Sequence, residues 1–160
     1  MAIFIQHPMF LRIAAMLLSL TLLLCLSAAP PLNGVGASVF IALASLVFAS
    51  VALCVTIGNL QENFARFSLF VYLAGGNEEI VSWRNLEYSA SLSLSLCNFT
   101  GMILNWGLAL TNAEHAGPFG AAAFFSFMLS VMYLASAIIA LNTDDAEEAE
   151  TLRLSAYEHL

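Results

Sequence analysis

Apolar residues run through this chain in four blocks, separated by two short polar connections and one long one. The blocks cover roughly residues 10–29, 37–57, 86–110 and 119–141. Each holds about 20 residues, enough at about 1.5 Å per residue to cross a hydrocarbon core of about 30 Å. In lipid every backbone N–H and C=O needs a partner inside the protein, which leaves helices or a closed barrel. Barrel strands alternate polar and apolar positions, whereas these runs are continuous. The pattern predicts an all-α fold, a four-transmembrane-helix bundle over residues 1–142 followed by a short acidic cytoplasmic tail at 143–160.

The connections set the order of packing. Pro30-Pro31 ends the first helix, because proline lacks the N–H donor and clashes with the preceding turn. Asn33-Gly34 continues the turn. This loop and the one from Thr111 to Pro118 are short enough to make helices one and two, and three and four, antiparallel neighbours. The middle connection, residues 58–85, is longer. Within it Leu60, Phe64, Phe67 and Val71 recur at helical spacing, interleaved with Gln61, Glu62 and Arg66. That stretch is too short to span, so residues 60–73 form an interfacial helix or extend helix two into the cytoplasm. Gly75-Gly76-Asn77 marks a turn. Trp83, just before the third span, is expected at headgroup level.

Charge orients the bundle. The chain has four basic residues, all Arg: Arg12, Arg66, Arg84 and Arg153. The two short connections carry none. Basic residues favour the cytoplasmic side, so both termini and the middle connection are expected there, with short outer loops. A composition 61% hydrophobic and 9% charged excludes an ordinary soluble domain. Of the net charge of −7, much sits in the tail, which reads as a solvated end. The acidic balance argues against nucleic acid as a partner and against a polybasic lipid-binding tail.

The first span has a feature of a signal peptide, the small residues Ser27-Ala28-Ala29. The region before Arg12 has no basic residue and Pro30 follows the apparent cleavage point, so a retained helix is expected. Cys25, Cys54 and Cys97 all fall within spans. They are expected to act as small buried apolar residues rather than as a disulfide framework or zinc site.

Chemistry-bearing residues are few. On helix three Ser91, Ser95, Asn98, Met102 and Asn105 follow i, i+4, i+7, i+11, i+14 and share one face. Amides deep in a span are costly against lipid and are expected to face the bundle interior. Hydrogen bonding between helices explains such a stripe; a hydrophilic path or small-ligand site is the sharper alternative. Asn98-Phe99-Thr100 matches a glycosylation acceptor, inert at mid-membrane. Gly34/Ser38/Ala42 and Ser45/Ala49 on helix two, with Ser126/Ser130 and Ser136/Ala140 on helix four, form small-residue seams for close packing. Arg12 and Glu87 each open a helix near its cytoplasmic end, at similar depth. Each either snorkels to water or pairs with the other, with a proton relay as the remaining alternative. No HExxH, CxxC, phosphate loop or Ser-His-Asp arrangement occurs. His7, His115 and His159 lie at span edges or in the tail, on opposite membrane sides, so no haem, metal or other cofactor is expected. No enzymatic activity is expected either.

Phe10-Leu11-Arg12-Ile13-Ala14-Ala15 entering helix one, Glu87 entering helix three, the short outer loops and an Ala-, Ser- and Phe-rich fourth span together resemble the MARVEL-type tetraspans, including the Casparian-strip membrane proteins. Casparian-type relatives carry a basic residue in helix one and an acidic one in helix three; by position Arg12 and Glu87 correspond, with Glu in place of the more usual Asp. The resemblance implies membrane organisation, vesicle traffic or junction-like assembly, with lipids and other membrane proteins or further copies of the chain as partners. An accessory subunit of a channel, respiratory or photosynthetic complex is the alternative, and an oligomeric pore or transporter a third.

Overall fold

The computed structural model describes residues 8–58, 60 and 83–158. Among the described residues, four helices are long and apolar enough to cross a membrane. They are α1 (Pro8–Ser27), α2 (Val35–Ile57), α3 (Trp83–Thr111) and α4 (Ala116–Glu158), with one 3-10 turn, Ala113–His115, before α4.

Proline and glycine place the helix ends. Pro8 opens α1, where a missing N–H costs no intrahelical bond. Pro30 and Pro31 lie past its end. Gly34 takes a left-handed φ of 103° immediately before α2, a conformation side chains rarely adopt. Pro118 departs from expectation. It lies inside the first turn of α4 rather than in the loop, because first-turn N–H groups have no intrahelical acceptor to lose. The connection from α3 to α4 shrinks to Asn112 and the 3-10 turn. At its other end α2 stops at Ile57, where the Gly58 N–H turns back to the Cys54 carbonyl. The expected 60–73 helix beyond Leu60, the Gly75-Gly76-Asn77 turn, Arg66, His7 and His159 lie outside the described residues.

The helices pack as a ring in chain order: α1 on α2, α2 on α3, α3 on α4, and α4 back on α1. Neighbours run antiparallel, so α1 and α3 are parallel across one diagonal. Small residues fill the interior. Ala15, Ala42, Ala49, Ala122 and Ser45 are almost fully buried, alongside Leu22, Phe119 and Leu129. Small interior residues let the backbones approach, which is the main attraction open to helices already solvated by lipid tails. Large residues such as Leu24, Phe40, Val47, Leu96, Ile103 and Phe124 point outward. No span buries more than 33% of its most apolar window, so most of its surface is left to lipid or to other proteins.

Several expected placements shift. Trp83, the first residue of α3, is 6% exposed and packs inward on Ala52 and Val55 of α2. Cys54 and Cys97 are exposed on the outer surface rather than buried, whereas Cys25 is half-buried and packs against the core. On α4 the buried seam is Ser126, Ser130, Tyr133 and Ala137, while Ser136 and Ala140 are half-buried at its edge. Gly34 of α2's expected seam lies before that helix, leaving Ser38 and Ala42 as its interior residues. The acidic tail is helical. α4 continues through it to Glu158, 43 residues in all, about twice the length a bilayer core requires. Ala, Glu, Leu and Arg dominate residues 146–154, all strong helix formers, with no Gly or Pro to stop the turn.

Candidate functional site

The chemistry of the interior is built on α3. Ser91, Ser95, Asn98 and Asn105 are all buried, the two amides completely. Residues seven apart return to nearly the same side of a helix, so Ser91, Asn98 and Asn105 form one line along the bundle axis. Gly101 completes the buried face, and Met102, expected on the stripe, is half-buried beside it. On α2, Ser38 and Ser45 carry the same seven-residue spacing and are buried too. Antiparallel packing runs the two lines past each other.

Hydrogen bonds join these lines to α4. Asn98 Nδ2 donates to Ser45 Oγ and to the Leu94 carbonyl, both at 2.8 Å. Asn105 Nδ2 reaches Ser126 Oγ at 3.4 Å, and Ser95 Oγ donates to the Ser130 carbonyl at 2.9 Å. Tyr133 Oη crosses the second diagonal of the ring and donates to the Ser45 carbonyl at 2.6 Å. Its ring meets Phe48 with centroids 6.2 Å apart. Ser45 is therefore the hub: its hydroxyl holds α3 and its carbonyl holds α4. Asn98 has no exposed surface and its Nδ2 is committed to two acceptors, so the acceptor motif it begins is closed to glycosylation.

The first diagonal carries the charges. Arg12 and Glu87 occupy the same position in their parallel helices, each four residues after the first. Arg12 Nε donates to Glu87 Oε1 at 3.2 Å and Nη2 donates to the same oxygen. The side chains are 9% and 16% exposed, so the charged heads turn toward each other rather than out to water. Five buried polar atoms of this interior lack a partner: Arg12 Nη1, Ser91 Oγ, Ser38 Oγ, Asn98 Oδ1 and Asn105 Oδ1. Each such atom costs on the order of 1–3 kcal/mol when stranded.

The arrangement clamps four helices and neutralises one buried charge with another. Among the described residues no group of three His, Cys, Asp or Glu side chains is placed to hold a metal ion. His115 sits in the 3-10 turn between α3 and α4. Sequence reasoning found the α3 stripe but missed Tyr133, and read Ser45, Ser126 and Ser130 only as small packing residues. The signal for Tyr133 was a hydroxyl at mid-span, which lipid cannot satisfy. No family model, curated protein or solved structure matches this chain.

Proposed function

We propose that the chain is a non-enzymatic tetraspan membrane protein that organises membrane or assembles with other membrane proteins, with both termini and the middle connection in the cytoplasm. The observation that carries this reading is how four of the interior donors are used, although Ser38 and Ser91 leave theirs without a partner. The donors of Asn98, Asn105, Ser95 and Tyr133 are spent on tying one helix to another. A transport path needs such groups free to meet a solute. The outer surface, by contrast, is apolar on every span and suited to lipids and to neighbouring helices. The meeting of Arg12 and Glu87 across α1 and α3 supports the resemblance to Casparian-type tetraspans, which carry a basic and an acidic residue in those helices.

The test is the native assembly, read as mass and composition after extraction in mild detergent, together with conductance of the purified chain in planar bilayers. Self-assembly, or association with varied membrane proteins, and no conductance supports a scaffold. Fixed stoichiometry within one channel, respiratory or photosynthetic complex replaces it with an accessory subunit. Ion flux that vanishes on Asn98→Leu replaces it with a pore.

A further inference from the structure

Arg12, Ala52, Glu87, Ser91 and Tyr133, drawn from all four helices, line a small cleft at the end of the bundle where α1 and α3 begin. Two of its walls present donors with no acceptor. Arg12 Nη1 is unpartnered although the side chain is 9% exposed, and Ser91 Oγ is unpartnered although Ser91 is 1% exposed. Ser91, like Ser38, makes no hydrogen bond within its own helix. Ser50, Thr56, Ser93 and Thr100 each donate to the carbonyl four residues back. Ser91 leaves that acceptor unused, so its hydroxyl is free for another group.

We infer that the cleft is a binding site for a single water molecule, which accepts hydrogen bonds from Arg12 Nη1 and Ser91 Oγ. Size decides between water and larger ligands. The cavity volume is about 10 Å³, against the roughly 10–15 Å³ that one water needs. A lipid phosphate or carboxylate does not fit without prying the helices apart. Charge decides between water and a halide of similar size. Glu87 already neutralises Arg12, so an anion would bring a net negative charge into a low-dielectric interior. A neutral acceptor satisfies both donors without that penalty. The bound water holds α1 to α3 at the one place where their charges meet, and gives Nη1 the partner it lacks.

A crystal structure at a resolution that shows ordered water, from crystals grown in bromide, tests the site directly. The expected result is a peak within about 3.2 Å of both donors and without anomalous signal. An anomalous bromide peak overturns the proposal in favour of an anion. A dry cleft with Arg12 Nη1 turned onto a protein carbonyl also overturns it. Thermal melting of the full chain in detergent tests the energetics through three variants. Ser91→Ala loses one donor but keeps the water, and its midpoint falls by about 2–4 °C. Ser91→Val puts a methyl in place of the hydroxyl, leaves the water one partner fewer beside an apolar group, strands Nη1 as the water is lost, and falls about twice as far. Ser91→Thr adds the same bulk but keeps the hydroxyl, and falls less than Ser91→Val. A Ser91→Val protein as stable as Ser91→Ala, or Ser91→Thr falling as far as Ser91→Val, rejects the water.

Discussion

Removing one partner of Arg12–Glu87 strands the other charge inside the bundle, so a double-mutant cycle on this pair reads the diagonal contact directly. Breaking a buried ion pair costs on the order of 3–5 kcal/mol. The two halves differ in burial, 9% exposed for Arg12 and 16% for Glu87. Glu87→Gln leaves the more buried guanidinium, which cannot shed its charge, and is expected to cost about 3 kcal/mol. Arg12→Leu leaves the carboxylate with more access to water and is expected to cost about 2 kcal/mol. The double variant strands no charge and costs about 2 kcal/mol, leaving a coupling of about 3 kcal/mol. For a chain of this size about 1 kcal/mol moves the midpoint by roughly 2–4 °C, so the double variant melts near Arg12→Leu and above Glu87→Gln. Circular dichroism melts in one detergent, at one pH and salt concentration, measure all four proteins. Additive losses, with the double variant melting lowest by the sum of the single effects, refute the reasoning. Snorkelling of each side chain to water is then the better account.

Other expectations rest on the seam and the outer surface. Asn98→Ala removes the bond to Ser45 and leaves a void, at about 2 kcal/mol, whereas Thr100→Ala on the exposed face stays within about 0.5 kcal/mol; equal melts for the two refute the inward stripe. Tyr133→Phe keeps the Phe48 contact and loses the hydroxyl that bonds the Ser45 carbonyl, lowering the midpoint by about 2–4 °C; an unchanged midpoint says that the hydroxyl contributes nothing. In detergent, maleimide counted by intact mass modifies Cys54 and Cys97 before the half-buried Cys25; Cys25 reacting first contradicts the helix rotations. Protease-sensitive tags at the two ends, in sealed vesicles of known orientation, are both cleaved from the cytoplasmic side; protection of one tag alone rules out an even number of spans.

The number of spans and the inward face of α3 were legible in the residues themselves, because lipid leaves the backbone so few choices. An unbroken apolar run of about 20 residues has to be a helix. Along such a helix a polar stripe at 3.6-residue spacing has to face its neighbours. The helical tail was also written locally, in its Ala, Glu, Leu and Arg, though its like charges argued the other way. Contacts between helices were legible only as alternatives, with Arg12 and Glu87 either pairing or each snorkelling to water. That Arg12 meets Glu87 depends on α1 and α3 lying across a diagonal, and on each helix's rotation to within a fraction of a turn. The same rotation buries Gly101 more deeply than Met102, turns Trp83 onto Ala52 and Val55, and carries Cys54 and Cys97 outward. It also brings Tyr133 to the Ser45 carbonyl, a pairing of residues 88 positions apart. No local pattern encodes such pairs. They are set by how small and large side chains from four helices fill one interior at once, and that is decided only when the bundle closes.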